Sequence, residues 1–265
     1  MPHLTAPVYR RGQRHPFAPS LATSAEIGIL TAVEPMRVLL FDVFGTLVDW
    51  RSSLIELAEA TAVRAGVQAD WAAIVDDWRR AYQPAMDRVR QGATWRDLDS
   101  LQSETLSGVL ARRGIWLSAA DTGSLVRGWR QLRPWPDSRD GLDRLRRKHV
   151  TATLSNGHLA LLADLLKFAD LRVDAVLSAQ LAAGYKPDAK VYLTALRLLD
   201  CPPENAGMVA AHASDLHAAA ALGLRPIFVR RPLEWGPGMP PADPPALDGL
   251  IETEGLSHLA EALGC

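Results

Sequence analysis

Short apolar runs alternate with amphipathic stretches over much of the chain. The runs at residues 37–41, 150–154, 173–177, 208–210 and 226–229 are bounded by glycine, proline or polar residues. Such runs are typical of strands that are buried on both faces of a parallel sheet. Helical patterns follow four of them and end near Phe168, Leu199, Leu222 and Leu263. This alternation predicts an α/β fold with a doubly wound parallel sheet.

Between residues 51 and 133 the pattern changes, because strand-like runs are scarce and helical periodicity dominates. Helices are predicted at residues 53–64, 71–89 and 98–113, and Pro84 is expected to kink or break the second. We interpret residues 52–133 as a helical cap inserted into a core of residues 36–51 and 134–265. Residues 1–35 lack a convincing signal sequence and are expected to form a poorly ordered extension.

Composition narrows the class of protein. The chain has 265 residues, 48% of them hydrophobic, and a formal net charge of -1. No basic excess points to nucleic acid, and no apolar run reaches the roughly 20 residues that span a bilayer. The two cysteines, Cys201 and Cys265, do not form a disulfide framework. A globular enzyme in a reducing cytoplasm is therefore predicted.

Polar residues follow four of the predicted strands or open the helices after them. They are Asp42 and Thr46, Ser155 and Asn156, Lys186, and His212 and Asp215. Taken singly, each has a commoner structural explanation, such as a loop cap, a turn or a helix start. Because the carboxyl ends of parallel strands meet at one edge, where ligands bind in open α/β sheets, the set together predicts an active site.

The chain resembles the haloacid dehalogenase superfamily from about residue 38 to residue 262. Four motifs carry the resemblance in the family's order: Asp42-Val43-Phe44-Gly45-Thr46, Ser155-Asn156-Gly157, Lys186-Pro187-Asp188, and Asp215 just after a strand. The resemblance implies a Rossmann-like core with a helical cap insertion and makes Asp42 the carboxylate nucleophile. Pro187 is expected in the first turn of the helix that this motif opens.

Two positions argue against the magnesium-dependent phosphatases of this superfamily. Those enzymes carry a general acid two residues after the nucleophile, where this chain has Phe44. They also carry a metal-binding acid four residues before the last motif aspartate, where this chain has Ala211. Loss of one carboxylate weakens a magnesium site badly. No metal and no cofactor are therefore expected.

Both changes resemble the type II L-2-haloacid dehalogenases, as do Val191-Tyr192 and the pair Trp78-Arg79. The resemblance implies metal-independent conversion of a short L-2-haloacid to a 2-hydroxy acid, with inversion, through an ester on Asp42. The expected partners are a small 2-haloacid and water, with neither nucleic acid nor membrane. Relatives are often dimers, and the sequence leaves a homodimer open.

The resemblance also implies roles for the remaining residues. Arg79 and the Asn156 amide receive the halide, while Ser155 and the backbone N–H groups of Val43 and Phe44 hold the substrate carboxylate. Three residues act on carboxylates or water: Lys186 keeps Asp42 ionised, Thr46 positions it, and Asp215 orients water or accepts its proton. Tyr192 is expected to reach the pocket. Arg80 is an alternative to Arg79.

One departure lies at the end of the last motif strand. The dehalogenases carry serine and asparagine where this chain has Ala210 and His212. His212 is interpreted either as a group that orders water or as a structural histidine. The loop of residues 230–236 is expected to be a surface loop rather than part of the pocket. A phosphatase and a non-catalytic binding protein of the same fold remain alternatives.

Overall fold

The computed structural model describes residues 36–265, so the predicted extension at residues 1–35 lies outside it. Its centre is a six-stranded sheet, in which every neighbouring pair of strands is parallel. In the spatial order β5-β4-β1-β6-β7-β8, the strands are Ala175–Ser178, Val150–Ser155, Val38–Phe41, Ala206–Ala210, Arg225–Val229 and Ile251–Thr253. The predicted doubly wound α/β fold is confirmed.

The first strand, β1, lies in the middle of the sheet. All four of its residues are fully buried, which explains why its sequence is a continuous apolar run rather than an alternating one. The chain builds β4 and β5 on one side of β1 and then crosses to build β6, β7 and β8 on the other. Open α/β sheets bind ligands at such a switch point, so Asp42 leaves β1 where a site is expected.

Nine α-helices are found among the described residues. The core helices, α5 to α9, are Ser138–Leu145, Leu159–Ala169, Ala189–Leu198, Ala213–Ala220 and Leu256–Ala262. The other four, α1 to α4, are Trp50–Ala65, Trp71–Arg90, Leu98–Arg112 and Ala119–Arg127. A two-residue antiparallel pair, β2 (Val48–Asp49) with β3 (Arg133–Pro134), brings the two ends of this helical segment together.

Helices α1 to α4 begin at capping residues that the sequence places just before each apolar pattern. The side chains of Asp49, Asp70, Asp97 and Ser118 each accept a hydrogen bond from a backbone N–H in the first turn. The segment has its own aromatic centre, in which Trp129 contacts the rings of Trp50 and Trp78. The division into core and cap stays a prediction.

Some local predictions were wrong. Pro84 does not break its helix: α2 runs unbroken from Trp71 to Arg90. Pro84 and Arg80, whose carbonyl loses its partner, are both exposed, so water can satisfy that carbonyl. Pro187 lies two residues before α7 rather than in its first turn. Helices α4 and α5 and strand β8 were not predicted, because each is a short element of three to nine residues.

No helix in residues 36–265 is long and apolar enough to cross a membrane. Both cysteines are free thiols, with Cys201 buried and Cys265 partly buried.

Candidate active site

Asp42 is the first residue after β1, and it is buried at the carboxyl edge of the sheet. Its Oδ2 accepts a hydrogen bond from the Thr46 hydroxyl at 2.8 Å, and its Oδ1 accepts one from the Lys186 ammonium at 2.8 Å. Thr46 in turn accepts the backbone N–H of Ala211 at 2.9 Å, which ties the loop to the end of β6. The predicted pairings of Thr46 and Lys186 with Asp42 are therefore present.

Lys186 connects two carboxylates. Its ammonium lies 2.8 Å from Asp42 and 2.6 Å from Asp215, and all three side chains are at least nine-tenths buried. The other oxygen of Asp215 accepts the Tyr192 hydroxyl at 2.7 Å. Buried charges are stable only when they are paired and hydrogen-bonded, and this chain of four side chains meets that condition.

These contacts set the charge states. Burial disfavours ionisation of Asp42, but Lys186 and His212 outweigh it and hold the pKa of Asp42 well below its usual range. Burial likewise disfavours the Lys186 cation, but Asp215 and Asp42 outweigh it and raise its pKa. Asp42 is therefore an anion at neutral pH, as a carboxylate nucleophile must be.

His212 bridges the nucleophile to a residue that the motifs do not include. Its Nδ1 lies 3.1 Å from Asp42 Oδ2 and its Nε2 lies 3.0 Å from Glu234 Oε1. Glu234 is only 4% exposed and also accepts the Trp50 indole N–H at 3.0 Å. Burial disfavours the imidazolium, but Glu234 and Asp42 outweigh it and raise the pKa of His212 to about 10.

The expectation that residues 230–236 form a surface loop was wrong. Arg231 donates to the carbonyl of Thr46 at 2.9 Å and pairs with Asp137 at 2.8 Å, and these contacts draw the loop onto the nucleophile loop. Glu234 is thereby placed against Gly45, where an added Cβ would lie only 2.3 Å from the Glu234 carboxylate. The loop contains charged residues and a proline, as solvated turns do, so its composition predicts an exposed turn.

A cavity of about 660 Å³ opens above Asp42. Six of the predicted site residues with polar side chains line it: Asp42, Arg79, Asn156, Lys186, His212 and Asp215. Five apolar or aromatic residues also line it, namely Phe44, Tyr82, Met86, Pro187 and Trp235. Tyr82 and Trp235 were not predicted, because an aromatic residue in a helix or loop has no signal that separates pocket from core.

Four predicted residues do not line the cavity. They are Val43, Thr46, Ser155 and Tyr192, and none of them has exposed surface. Ser155 accepts the N–H of Gly157 in its own turn at 3.2 Å, which gives no support to its predicted contact with substrate. Tyr192 reaches Asp215 from beneath the cavity. Within residues 36–265, the backbone N–H groups of Val43 and Phe44 have no hydrogen-bond partner, as the predicted binding of a carboxylate requires.

Arg79 and Arg80 both line the cavity, but Arg79 is the less exposed of the two. Its guanidinium carbon lies 4.9 Å from the centre of the Tyr82 ring and 5.2 Å from that of Trp50. Its buried Nη1 has no hydrogen-bond partner within the described residues. Arg80 is more than half exposed and pairs with Asp77. A desolvated guanidinium with a free N–H, facing the nucleophile, is suited to bind an anion.

Phe44 and Ala211 stand where the phosphatases carry acidic residues, and both side chains are buried. Phe44 packs its ring edge against Trp129, with ring centres 5.4 Å apart, and Ala211 is buried at the end of β6. Asn156 faces the cavity, and its side-chain oxygen accepts the backbone N–H of Lys186 at 2.7 Å. The Asn156 side chain also lies within hydrogen-bond reach of the Tyr82 hydroxyl, which lines the same cavity.

The site thus combines a buried carboxylate at the switch point of a parallel sheet with a lysine and a second aspartate. The family model of haloacid dehalogenase-like hydrolases matches residues 36–223, and the chain belongs to this family.

Individual relatives give a finer placement. A crystal structure of an L-2-haloacid dehalogenase is 44% identical and has a TM-score of 0.81, with coverage of 86% of this chain and 99% of that one. A crystal structure of a defluorinating L-2-haloacid dehalogenase is 35% identical and has a TM-score of 0.83, with coverage of 87% and 96%. (S)-2-haloacid dehalogenase 1 of Pseudomonas sp. (strain CBS-3) is 27% identical over 203 residues, or 75% of this chain and 86% of that one.

The predicted family, the α/β fold and the enzyme class, a hydrolase acting on carbon–halide bonds, are confirmed at the level of the family. The roles of individual residues, the substrate, and independence of metal stay predictions.

Proposed function

We propose that this protein hydrolyses short L-2-haloacids to 2-hydroxy acids, without a metal, through an ester on Asp42. The observation that carries the proposal is the pairing of two unlike charges across one cavity. On the sheet side, Asp42 is an anion held by Lys186 at 2.8 Å. On the side of α2, Arg79 presents a buried N–H without a partner among the described residues.

The first half-reaction follows from this arrangement. An oxygen of Asp42 attacks C2 of the haloacid from the side opposite the halogen, which inverts that carbon and expels halide. Negative charge grows on the leaving halogen, and Arg79 with the amide of Asn156 stabilises it. The backbone N–H of Phe44, which lines the cavity, binds the substrate carboxylate. Names of two relatives, which describe L-2-haloacid dehalogenases, support this substrate class.

The second half-reaction releases the product. Water attacks the ester carbonyl of Asp42, with Asp215 or His212 as the neighbouring group that accepts its proton. The apolar positions of Phe44 and Ala211 support the absence of a metal step, because they remove the acid and the ligand that phosphoryl transfer requires.

Halide release tests the activity. The protein is incubated with L-2-chloropropionate, bromoacetate and fluoroacetate in chelator, and free halide is measured. We expect release from at least one of them and none from the Asp42→Asn variant. No release from any of the three, or magnesium-dependent release of phosphate from phosphate monoesters instead, would overturn the proposal.

Labelling tests the mechanism independently. In a single turnover in oxygen-18 water, hydrolysis of an Asp42 ester places the label on the Asp42 carboxylate, whereas direct attack of water on the substrate places it in the hydroxy acid. Mass spectrometry of the peptide that contains Asp42 distinguishes these two outcomes.

A further inference from the structure

His212 lies between two carboxylates and hydrogen-bonds to both. The distances are 3.1 Å from Nδ1 to Asp42 and 3.0 Å from Nε2 to Glu234. Carboxylates only accept hydrogen bonds, so both ring nitrogens donate and the ring is an imidazolium while Asp42 is ionised. Loss of the Asp42 charge removes one of the two carboxylates that raise the pKa of His212.

Glu234 is held in place from several directions. It accepts the Trp50 indole N–H at 3.0 Å, and its loop is fixed by the bonds of Arg231 to Thr46 and Asp137. Its carboxylate is 4% exposed, while the side chain of His212 is 28% exposed. A buried carboxylate behind a histidine whose other nitrogen faces the reacting group is the arrangement by which enzymes orient a histidine base.

Asp215 is less free to act as that base. One of its oxygens accepts Lys186 at 2.6 Å and the other accepts the Tyr192 hydroxyl at 2.7 Å. Both of its oxygens are therefore already engaged by donors of the protein itself. Its position suits it to hold Lys186 beside Asp42.

We propose that His212 is the base that activates water for hydrolysis of the Asp42 ester. Glu234 is the positioning residue, which orients the imidazole ring and stabilises the imidazolium that forms when the ring takes the proton. This inference rests on the proposed function, since it concerns the second half of that reaction. It assigns a role to Glu234, which belongs to none of the four motifs.

The protons and electron pairs balance over the cycle. When Asp42 bonds to C2, the carbon–halogen bond breaks and halide leaves with the electron pair. Asp42 is then uncharged, so the imidazolium releases its Nδ1 proton to solvent. Nδ1 next accepts a proton from water while the water oxygen bonds to the ester carbonyl carbon. The bond from that carbon to the substrate oxygen breaks, the product oxygen takes the remaining proton, and Asp42 is again a carboxylate beside an imidazolium.

Charged groups from every side of the site influence this proton transfer. Asp42, Asp215 and Glu234 favour the imidazolium, whereas Lys186, Arg79 and Arg231 oppose it. Formation of the ester removes Asp42 from the first group, and all three cations remain. Once the ester has formed, the charges around His212 therefore favour the neutral imidazole more than before, and this is the step that needs a base.

The main test is the Glu234→Gln variant, which keeps the shape of the side chain and removes its charge. Halide release and ester are followed in one rapid-quench experiment with L-2-chloropropionate, and the ester is detected as a mass increase of the intact protein. We expect a halide burst of one equivalent within about threefold of the wild-type rate, then ester hydrolysis slowed about 10²-fold. The ester therefore accumulates. Glu254→Gln is the matched control, because that side chain is 74% exposed, and it is expected to match the wild type.

Two results would overturn the inference: steady-state turnover like the wild type, or burst and turnover falling together without ester. If the wild type itself releases no halide, the proposed function fails rather than this step. His212→Phe, with the exposed His217→Phe as its control, provides a second route to the same accumulation of ester if Glu234→Gln does not fold.

The wild-type protein supplies a test without substitution. Ester is formed in a single turnover and its decay is measured between pH 5 and 9. The decay rate should fall about tenfold for each unit of pH below the pKa of His212 in the ester and reach a plateau above it, because only the neutral ring accepts a proton. A decay rate that does not change with pH would contradict a histidine base.

Discussion

The charged side chains on the two sides of the cavity differ in whether the protein itself pairs them. On the sheet side, Lys186 lies between Asp42 and Asp215, and the hydroxyls of Thr46 and Tyr192 complete the bonding of those carboxylates. On the helical side, Arg79 lies over the rings of Tyr82 and Trp50 with no carboxylate bonded to its buried Nη1 among the described residues.

This difference separates what holds the fold from what awaits a ligand. Removing one member of the sheet-side group leaves a buried charge without its partner, which costs stability as well as activity. Removing Arg79 takes away a charge that the protein itself does not pair, so stability should hardly change. The comparison predicts that sheet-side substitutions lower both properties and that Arg79 substitutions lower activity alone.

The largest effect is expected from Asp42→Asn. The amide is neutral and too weak a nucleophile to displace halide, so kcat should fall at least about 10⁴-fold. Halide release under saturating L-2-chloropropionate measures it. Asp164→Asn, on an exposed side chain of α6, is the control and should leave kcat unchanged. Activity of Asp42→Asn near that of the wild type would mean that another group attacks the substrate.

Lys186→Met should lower both activity and stability, since Asp215 would lose the cation bonded to it and Asp42 would keep only His212. We expect kcat to fall about 10³-fold and the free energy of unfolding to fall by about 3–5 kcal/mol at pH 7. Urea unfolding measures the latter.

The dependence of stability on pH sharpens this prediction. In the wild type the folded-state pKa of Asp42 is depressed, so its stabilising contribution is present above its unfolded pKa and is lost only as the pH falls through the depressed value. In Lys186→Met the largest cause of that depression is removed and only His212 still lowers the pKa of Asp42, so the pKa should move toward its unfolded value. On acidification the variant should therefore lose this contribution at a higher pH than the wild type does. Parallel pH profiles for the two proteins would show that Lys186 does not set the charge state of Asp42.

Arg79→Met tests the helical side. The loss of halide stabilisation should lower kcat/KM about 10²- to 10³-fold, in the range found when one donor to a developing charge is removed. The melting temperature should change by less than about 2 °C, because no internal ion pair is broken. Arg88→Met, more than half exposed on the same helix, is the control for both measurements. A large fall in melting temperature would mean that Arg79 holds the fold and that the two sides are alike.

The sheet side was predictable from the sequence and the helical side only in part. Asp42, Lys186 and Asp215 follow or flank strands of a parallel sheet, and the geometry of such sheets gathers strand ends at one edge. The strands themselves are apolar runs with sharp polar boundaries, so both the fold and these residues follow from local patterns. Their contacts within 3 Å confirm the placement that the pattern predicted.

The helical side depends on rotation of side chains about a helix axis, which a list of residues determines poorly. Arg79 and Arg80 are adjacent in sequence, and only the folded structure shows that Arg79 is the one packed over the rings of Trp50 and Tyr82. Glu234 was missed for a different reason. Its burial follows from the long-range bonds of Arg231 to Thr46 and Asp137, and nothing local in the loop signals them.

Tyr192→Phe should have the smallest effect of the four, and it tests how far the sheet-side group acts as a unit. The variant removes the hydroxyl that donates to Asp215 at 2.7 Å and leaves Lys186 bonded to both carboxylates. A hydrogen bond to a charged group contributes about 1.5–3 kcal/mol, so the free energy of unfolding should fall by about that amount.

Because Tyr192 does not line the cavity, its loss should leave KM within about twofold and lower kcat by about threefold to tenfold, through a less firmly held Lys186. Tyr185→Phe is the matched control: it also removes a buried hydroxyl bond, to the carbonyl of Arg96, without contact to Asp215. The control should lose stability and keep kcat. If both variants lose kcat alike, the effect comes from general loosening of the core, and Asp215 does not depend on Tyr192 for the position in which it holds Lys186 against the nucleophile.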